Sequence, residues 1–600
     1  MEVITVVEYK HIFDGPRPNA KDLLKDISSR YIIAVMAMIN DVLSIRGNTM
    51  ETQAFLMYNL AGDFPEDIRN QTLARAGIKL KQDFEIFNFP YTVEMINREL
   101  VNFKTEGRSE IEKAPEDILA IFKAYLSIVQ EVSERDTSIL QTAIEDAKKG
   151  GDNFVKLMWP HLMRQYQFAN RPEPFYEINR SLALLSFLES HPEFGEHTKE
   201  YFKSLNCYNY QDYSLALLSL LLPHLKRQPS PNLSDYLYKI ITDRPEPVLE
   251  SLVADPLEIG NDPKKQLDYL GLKERPIFRF EEDQYIVPYW DFFINALFTG
   301  FVFSFYSNSG IKSKFQDPGN PTDETGFGKF KGKIGKEFSE GVLFKNTMVK
   351  CFSRQQETLL FFDDSNEFNP DCYYRQGNLI FIIEFKDYLL SSEVIQSASY
   401  DVIKDEIDKK FVSEQVKKNG KLKRKDKGVS QLARNIEKLA KDQAVFWKID
   451  PEAGTQRLNL VDMTIYPIIV QTSIYFDFPG INDYLNNVIQ DRLGPIKIKF
   501  KRIAPFTMID FRYFEQRLLL FSDARIELAD ELDYYHNQIS ILKEKANGTR
   551  DVNDSFSAMM PFSFMESPTF RKEHDYRLSD LRKTIERCWN FSLDQRTLDI

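Results

Sequence analysis

The reading of this chain turns on one stretch: Asn369-Pro370-Asp371-Cys372-Tyr373-Tyr374-Arg375-Gln376-Gly377-Asn378-Leu379-Ile380-Phe381-Ile382-Ile383-Glu384-Phe385-Lys386. Leu379 to Ile383 is an unbroken apolar run rich in β-branched residues, which predicts a strand buried on both faces. Gln376-Gly377-Asn378 predicts a tight turn joining that strand to a partner strand that starts at Asp371. The buried strand then ends in Glu384-Phe385-Lys386. Two charges at the end of such a strand need compensation, because an unpaired buried charge costs several kcal/mol. Alternation places Glu384 and Lys386 on one face and Phe385 on the other. Asp371 can reach the same face across the hairpin. Two carboxylates and an ammonium at one sheet edge make a site for a hard cation beside a proton handler. The plainer alternative is a surface hairpin with a solvated Glu/Lys pair and ordinary Pro-Asp turn chemistry.

These residues resemble the PD-(D/E)XK nuclease superfamily, the restriction-endonuclease-like fold, over roughly residues 334–475. Pro370-Asp371 is similar to its PD element and Glu384-Phe385-Lys386 to its ExK element. The resemblance implies that Asp371, Glu384 and the Phe385 backbone carbonyl bind Mg²⁺, with Mn²⁺ able to substitute, and that Lys386 orients and helps activate the attacking water. Oxygen ligands suit Mg²⁺, which would polarise the scissile phosphodiester and stabilise the leaving oxygen. Near a divalent cation Lys386 should be easier to deprotonate. The family adds an acid on the helix before the sheet; Glu340 is preferred here and Glu337 is the alternative. It also often carries a glutamine on the helix after ExK. Gln431 is preferred, and Gln396, which with Tyr400 forms Gln-x-x-x-Tyr, competes.

Outward from this core, a helix over about 334–352 and a strand over Thr358 to Phe362 come first. A polar insertion, a helix over about 430–446 and a strand over Met463 to Gln471 follow it. That order predicts an α/β sandwich with a mixed sheet. The core is placed at 334–504, with a basic insertion at 404–428 and a helical extension over 505–600. Between Lys409 and Lys427 stand nine Lys/Arg against Glu414 and Asp426. Lys421, Lys423, Arg424 and Lys425 are read there as a mobile loop with its tip at Asn419-Gly420, contacting DNA phosphates. Lys331 and Lys333, in a second basic stretch, are assigned to the same groove. Gly328 to Ile334 superficially resembles a phosphate loop, but its glycine spacing is wrong and no Ser/Thr follows the Lys.

Residues 1–270 read as mostly helical, with Ile32, Val35, Met36 and Ile39 at helical spacing. This region is expected to sense, dock a partner or form a homo-oligomer. SLALLS occurs at Ser181 to Ser186 and again at Ser214 to Ser219, and a spacing of 33 residues suits a helical repeat. Residues 271–333 read as two short strands, the apolar helix Tyr289 to Tyr306, and a Lys/Gly-rich linker. The helix contains Asp291 and Asn295 and lacks strongly basic flanks, so a buried core helix is expected rather than a membrane span.

At 600 residues the chain is too long for one core. Its net charge of −12 confines any polyanion site to a local patch. Four scattered cysteines, including Cys588, fit a reducing, cytoplasmic setting and show no zinc spacing. The expectation is a Mg²⁺-dependent DNA endonuclease, by family analogy a restriction or antiviral defence protein. The alternatives are a silent nucleic-acid-binding remnant, an RNA nuclease, or a structure-specific repair nuclease.

Overall fold

A computed structural model describes residues 5–109, 114–148, 154–169, 171–244, 246–316, 325–353, 358–362, 369–397, 399–418, 421–444, 459–549 and 552–573. The linker segment 317–324, the expected loop tip 419–420, the expected helix end 445–446 and the extension beyond 573 lie outside the described residues. The chain forms two compact units: residues 1–141 with 168–327, and residues 142–167 with 328–600.

The first unit is mainly helical. Ser29–Arg46, Met50–Gly62, Glu66–Leu80 and Phe89–Val101 surround a core that includes Ile32, Val35, Met36 and Ile39. Asparagine and serine caps start two of these helices, with Ser28 Oγ accepting from Tyr31 N–H and Asn88 Oδ1 from Tyr91 N–H. Phe278–Arg279 and Gln284–Ile286 form a small antiparallel sheet with Lys239–Ile241. The apolar stretch after it is helical from Trp290 to Asn308, with a π-helical section at Ala296–Gly300. Phe293, Leu297, Phe301 and Phe305 bury it in this unit. Among the described residues no helix is long and apolar enough to cross a membrane.

The two SLALLS copies lie in helices Pro174–Ser190 and Tyr210–Leu225. They are not equivalent in packing: Leu182 is 6% exposed, whereas its counterpart Leu215 is 51% exposed. A true repeat would bury the same position in each copy, so the echo is one of composition.

One group in this unit has a measurable consequence. His224 stacks on Trp290 with ring centroids 3.8 Å apart, and its Nδ1 has no partner among the described residues. Burial, and then the charges of Arg227 and Arg171, lower its pKa from 6.5 to about 3. The folded pKa is depressed, so below pH 6.5 the unfolded chain takes up a proton that the fold refuses. Stability from this residue is complete above pH 6.5 and is lost as pH falls toward 3. His224→Phe keeps the stack and removes that loss. Relative to pH 7, the variant should gain about 2 kcal/mol over wild type at pH 5. Denaturant unfolding at the two pH values checks this.

In the second unit, helix α1 comprises a π-helical section, Gly335–Phe344, and Lys345–Phe352. Strands β1 (Thr358–Phe361), β2 (Cys372–Gln376) and β3 (Leu379–Lys386) form an antiparallel meander. Gly377, φ +53°, occupies the first corner of the β2–β3 turn, a backbone region open to glycine. Helix α2 (Tyr400–Phe411) and the hairpin β4 (Ser413–Lys418) and β5 (Lys421–Asp426) precede helix α3 (Gly428–Ala440). Strand β6 (Thr464–Gln471) then lies parallel to β3. Helix α4 (Ile481–Leu493) follows, and β7 (Arg502–Ile503) and β8 (Thr507–Asp510) both lie parallel to β6 on its far side. Helices α5 (Arg512–Ser522) and α6 (Leu528–Thr549) follow, and three short helical segments, Val552–Ser557, Phe562–Phe564 and Pro568–Glu573, come after them among the described residues.

The result is a mixed six-stranded sheet. Pro467 sits inside β6, where a proline would ordinarily break a ladder. It falls between the β7 pairing at Thr464 and Ile465 and the β8 pairing from Ile468 onward. The missing N–H therefore faces the gap between the two short strands. The expectation that residues from 505 onward are helical misses β8. Its four residues, Thr507-Met508-Ile509-Asp510, are too few to show alternation. The insertion between β3 and α3 is likewise more regular than a loop, containing α2 and the β4–β5 hairpin.

Candidate metal and phosphodiester site

Strand β3 is buried along nearly its whole length, and Glu384 at its end is 0% exposed. The register pairs Cys372 with Ile383, which sets Asp371 opposite Glu384 on the neighbouring strand. Asp371 Oδ2 accepts the Phe385 N–H at 2.7 Å and lies 3.3 Å from Lys386 Nζ. Lys386 Nζ donates to Glu384 Oε2 at 2.9 Å. The structure thus brings Asp371, Glu384 and Lys386 together at the carboxyl end of β3.

The two sheet faces are covered by different helices. On the Glu384 side, Asn435 of α3 donates its Nδ2–H to Glu384 Oε1 at 3.3 Å. On the other side, Phe385 stacks on Phe344 of α1 with centroids 4.7 Å apart. Asp387 shares that parity. Its carboxylate accepts from Lys331 Nζ, from Ser339 Oγ at 2.6 Å and from Thr472 Oγ1 at 2.7 Å. Burial works to raise the Asp387 pKa, but Lys331 and the two hydroxyls outweigh it and hold it below the usual carboxylate range. Asp387 therefore ties α1 to the ends of β3 and β6.

The electrostatics follow from burial. Desolvation, then the Asp371 charge, push the Glu384 pKa up to about 8 against the opposing pull of Lys386. Burial would lower the Lys386 ammonium, but Asp371 and Glu384 more than offset it and raise its pKa. Lys386 is thus held charged between two acids, and the cluster carries one more acid than base. With the Glu384 pKa near 8, neutral pH favours its protonated form, and a divalent cation of the Mg²⁺ kind, which suits these hard oxygen donors, would take the place of that proton. Asp371, Glu384 and the Phe385 carbonyl would hold it.

No family model, no curated protein and no solved structure matches this chain.

Some assigned residues sit elsewhere. Glu340 is half-buried on α1, the helix packed against the Phe385 face. Among the described residues no three His, Cys, Asp or Glu side chains form a group that could hold a metal, so neither Glu340 nor Glu337 completes a three-acid cluster. Glu337 lies 3.8 Å from Lys333, an i, i+4 pair. Gln431 Oε1 accepts the Gly428 N–H at 2.8 Å and so caps its own helix. The contact with Glu384 comes from Asn435, one turn later on the same helix face. Gln396 follows a short helix, Ser392–Ile395. Lys331 is engaged with Asp387 and its side chain is 15% exposed, so it is spent on structure rather than presented to DNA.

The basic insertion is an antiparallel hairpin. Cross-strand pairs Lys418–Lys421, Val416–Lys423 and Glu414–Lys425 place four lysine positions on one face of the ribbon. Lys423, Arg424 and Lys425 are exposed. At the base, Lys427 pairs with Glu414 at 3.1 Å, and Asp426 lies 3.4 Å from Arg492. Glu414 shares that face opposite Lys425, so the face carries four lysine positions against one acid.

Proposed function

We propose that the second unit is a metal-dependent phosphodiesterase that cleaves DNA. The observation carrying this reading is the Asp371–Glu384–Lys386 cluster at the carboxyl end of β3, with Glu384 wholly buried beside a second carboxylate. The element order α1–β1–β2–β3–α3–β6 supports it, since the resemblance to the PD-(D/E)XK nucleases implies a mixed sheet with a helix before and after the reactive hairpin. Mg²⁺ or Mn²⁺, when bound, would polarise the scissile phosphodiester and supply its attacking water. Asp371 and Glu384 fix the cation's place. Lys386 orients the attacking water, and Asn435 holds the Glu384 carboxylate in its rotamer. By family analogy such an enzyme serves restriction or antiviral defence, with the helical first unit sensing, docking a partner or forming a homo-oligomer. Cys207, Cys351 and Cys372, buried and in no disulfide among the described residues, fit a cytoplasmic protein.

The test is cleavage of supercoiled plasmid, linear duplex and single-stranded DNA with Mg²⁺, Mn²⁺ or EDTA, with Glu384→Ala as control. Metal-dependent cutting lost in the variant supports the reading. Binding without cutting by wild type would favour a silent nucleic-acid-binding protein, and cutting of RNA alone would replace the substrate.

The hairpin is the DNA-contacting element in this scheme. Replacing Lys423, Arg424 and Lys425 with alanine should flatten the slope of log K against log salt by about 2 to 3, near one unit for each phosphate no longer neutralised. An unchanged slope in a titration from low to moderate salt would make the hairpin a bystander.

A further inference from the structure

The row of residues beside Lys386 extends the site beyond the groups named so far. Parallel register pairs Lys386 of β3 with Gln471 of β6, and Gln471 with Asp510 of β8. Neighbours in register share a sheet face, so Lys386, Gln471 and Asp510 form one polar row across the carboxyl ends of three parallel strands. In open α/β sheets that edge is where ligands bind.

The two outer members of the row are occupied. Lys386 serves Glu384 and Asp371. Asp510 accepts from Arg512, Nε to Oδ1 at 3.0 Å and Nη2 to Oδ2 at 2.8 Å, and also from the Arg512 N–H at 2.8 Å. The middle member is not occupied. Gln471 is 0% exposed, yet neither Oε1 nor Nε2 has a hydrogen-bond partner among the described residues. Its backbone carbonyl accepts Phe511 N–H at 2.8 Å. A buried carboxamide with both ends unpaired is costly, and apolar residues fill the preceding positions Ile468 to Val470. Asn435 shows the same feature on the facing helix: Nδ2 is given to Glu384, and the buried Oδ1 is unpartnered among the described residues.

We propose that Gln471 is a substrate-contacting residue of this site. Its Nε2–H donates to a non-bridging oxygen of the scissile phosphodiester, and its Oε1 accepts from the attacking water that Lys386 orients. The carboxamide is suited to this task because it presents a donor and an acceptor side by side without adding charge. It thereby stabilises charge that develops on the phosphate as the bond from the water oxygen to phosphorus forms and the bond from phosphorus to the leaving sugar oxygen breaks. The water gives up a proton to solvent and the leaving oxygen takes one from it. This assignment rests on the phosphodiesterase reading above.

The experiment compares wild type, Glu384→Gln, Gln471→Met and Gln471→Glu on supercoiled plasmid with Mn²⁺. It reads kcat, KM, melting temperature in EDTA, and Mn²⁺ affinity by calorimetry. Gln471→Met should lower kcat about a hundredfold, the usual loss for one donor to a developing oxyanion. Its melting temperature should be equal or higher and its Mn²⁺ affinity unchanged. Gln471→Glu, which keeps an acceptor but repels the phosphate, should be no better than Gln471→Met. Wild-type kcat in Gln471→Met, with Glu384→Gln inactive, overturns the Gln471 assignment and leaves the nuclease reading standing; the carboxamide is then structural. If Gln471→Met fails to fold, Gln471→Glu decides alone, and wild-type kcat in it overturns the assignment. Inactive wild type, or an active Glu384→Gln, overturns both.

Discussion

Glu384→Gln is expected to abolish cleavage while making the protein more stable. Glutamine has nearly the same shape, so the strand end and the Asn435 contact have no steric reason to move. It replaces an acid that is 0% exposed and whose pKa is pushed up to about 8, so that folding at neutral pH forces either a buried charge or the uptake of a proton. Burying that charge works against folding, and Lys386 offsets only part of the cost. Replacing it with a neutral amide should raise stability by about 1–3 kcal/mol in EDTA, the range for neutralising poorly compensated buried ions. The same charge is what a divalent cation would bind, so the variant should lose metal-dependent protection against unfolding along with activity. Turnover should fall by at least about a thousandfold, since both the cation's place and the charge around the phosphate are lost. Denaturant melts with EDTA and Mn²⁺, run beside the cleavage assay, check both. A destabilised variant with intact activity would mean that Glu384 is a structural acid.

Lys386→Met should behave in the opposite way. It leaves Asp371 and Glu384 side by side with their shared ammonium gone. Removing one partner of a buried ionic cluster costs about 3 kcal/mol or more, so in EDTA the variant should unfold at markedly lower denaturant. A divalent cation replaces the missing positive charge, and Mn²⁺ should restore most of the lost stability. Turnover should remain orders of magnitude low even with metal bound, because nothing orients the water. Loss of metal affinity without that stability pattern would show that Lys386 belongs to the cation's shell rather than to the water.

The two substitutions separate what was legible in the sequence from what was not. The run Leu379 to Ile383, ending in Glu384 and Lys386, could be read because burial on both faces and charge at the end contradict each other. The same contradiction was present at Ile468-Ile469-Val470-Gln471, where an apolar strand ends in a carboxamide, but an uncharged group gave a weaker signal. Gln431 and Asn435 share one face of α3, and sequence fixes the face without fixing which turn meets Glu384. Lys331 lay in a basic stretch, and nothing local indicates that Asp387, 56 residues later, claims it. Glu340 was placed by resemblance on a helix whose packing side no single sequence states. Strand β8 was hidden by its brevity, and its pairing with β6 is set by tertiary contact alone.

The base of the β4–β5 hairpin has a consequence for how this protein can vary. Lys427 N–H donates to Val412 O at 3.0 Å, so the chain leaves and returns at nearly one point. At Gly428, φ +39°, an added Cβ would meet Phe411 O at 2.7 Å, which holds the two ends in close contact. The twelve positions of β4 and β5 form their own sheet and share no ladder with the main one. The ribbon is therefore an exchangeable cassette: it can be lengthened, recharged or excised while helix α3 and Asn435 stay in register. Under the proposed function, substrate choice would drift by swapping that cassette while the residues at the sheet edge stay unchanged.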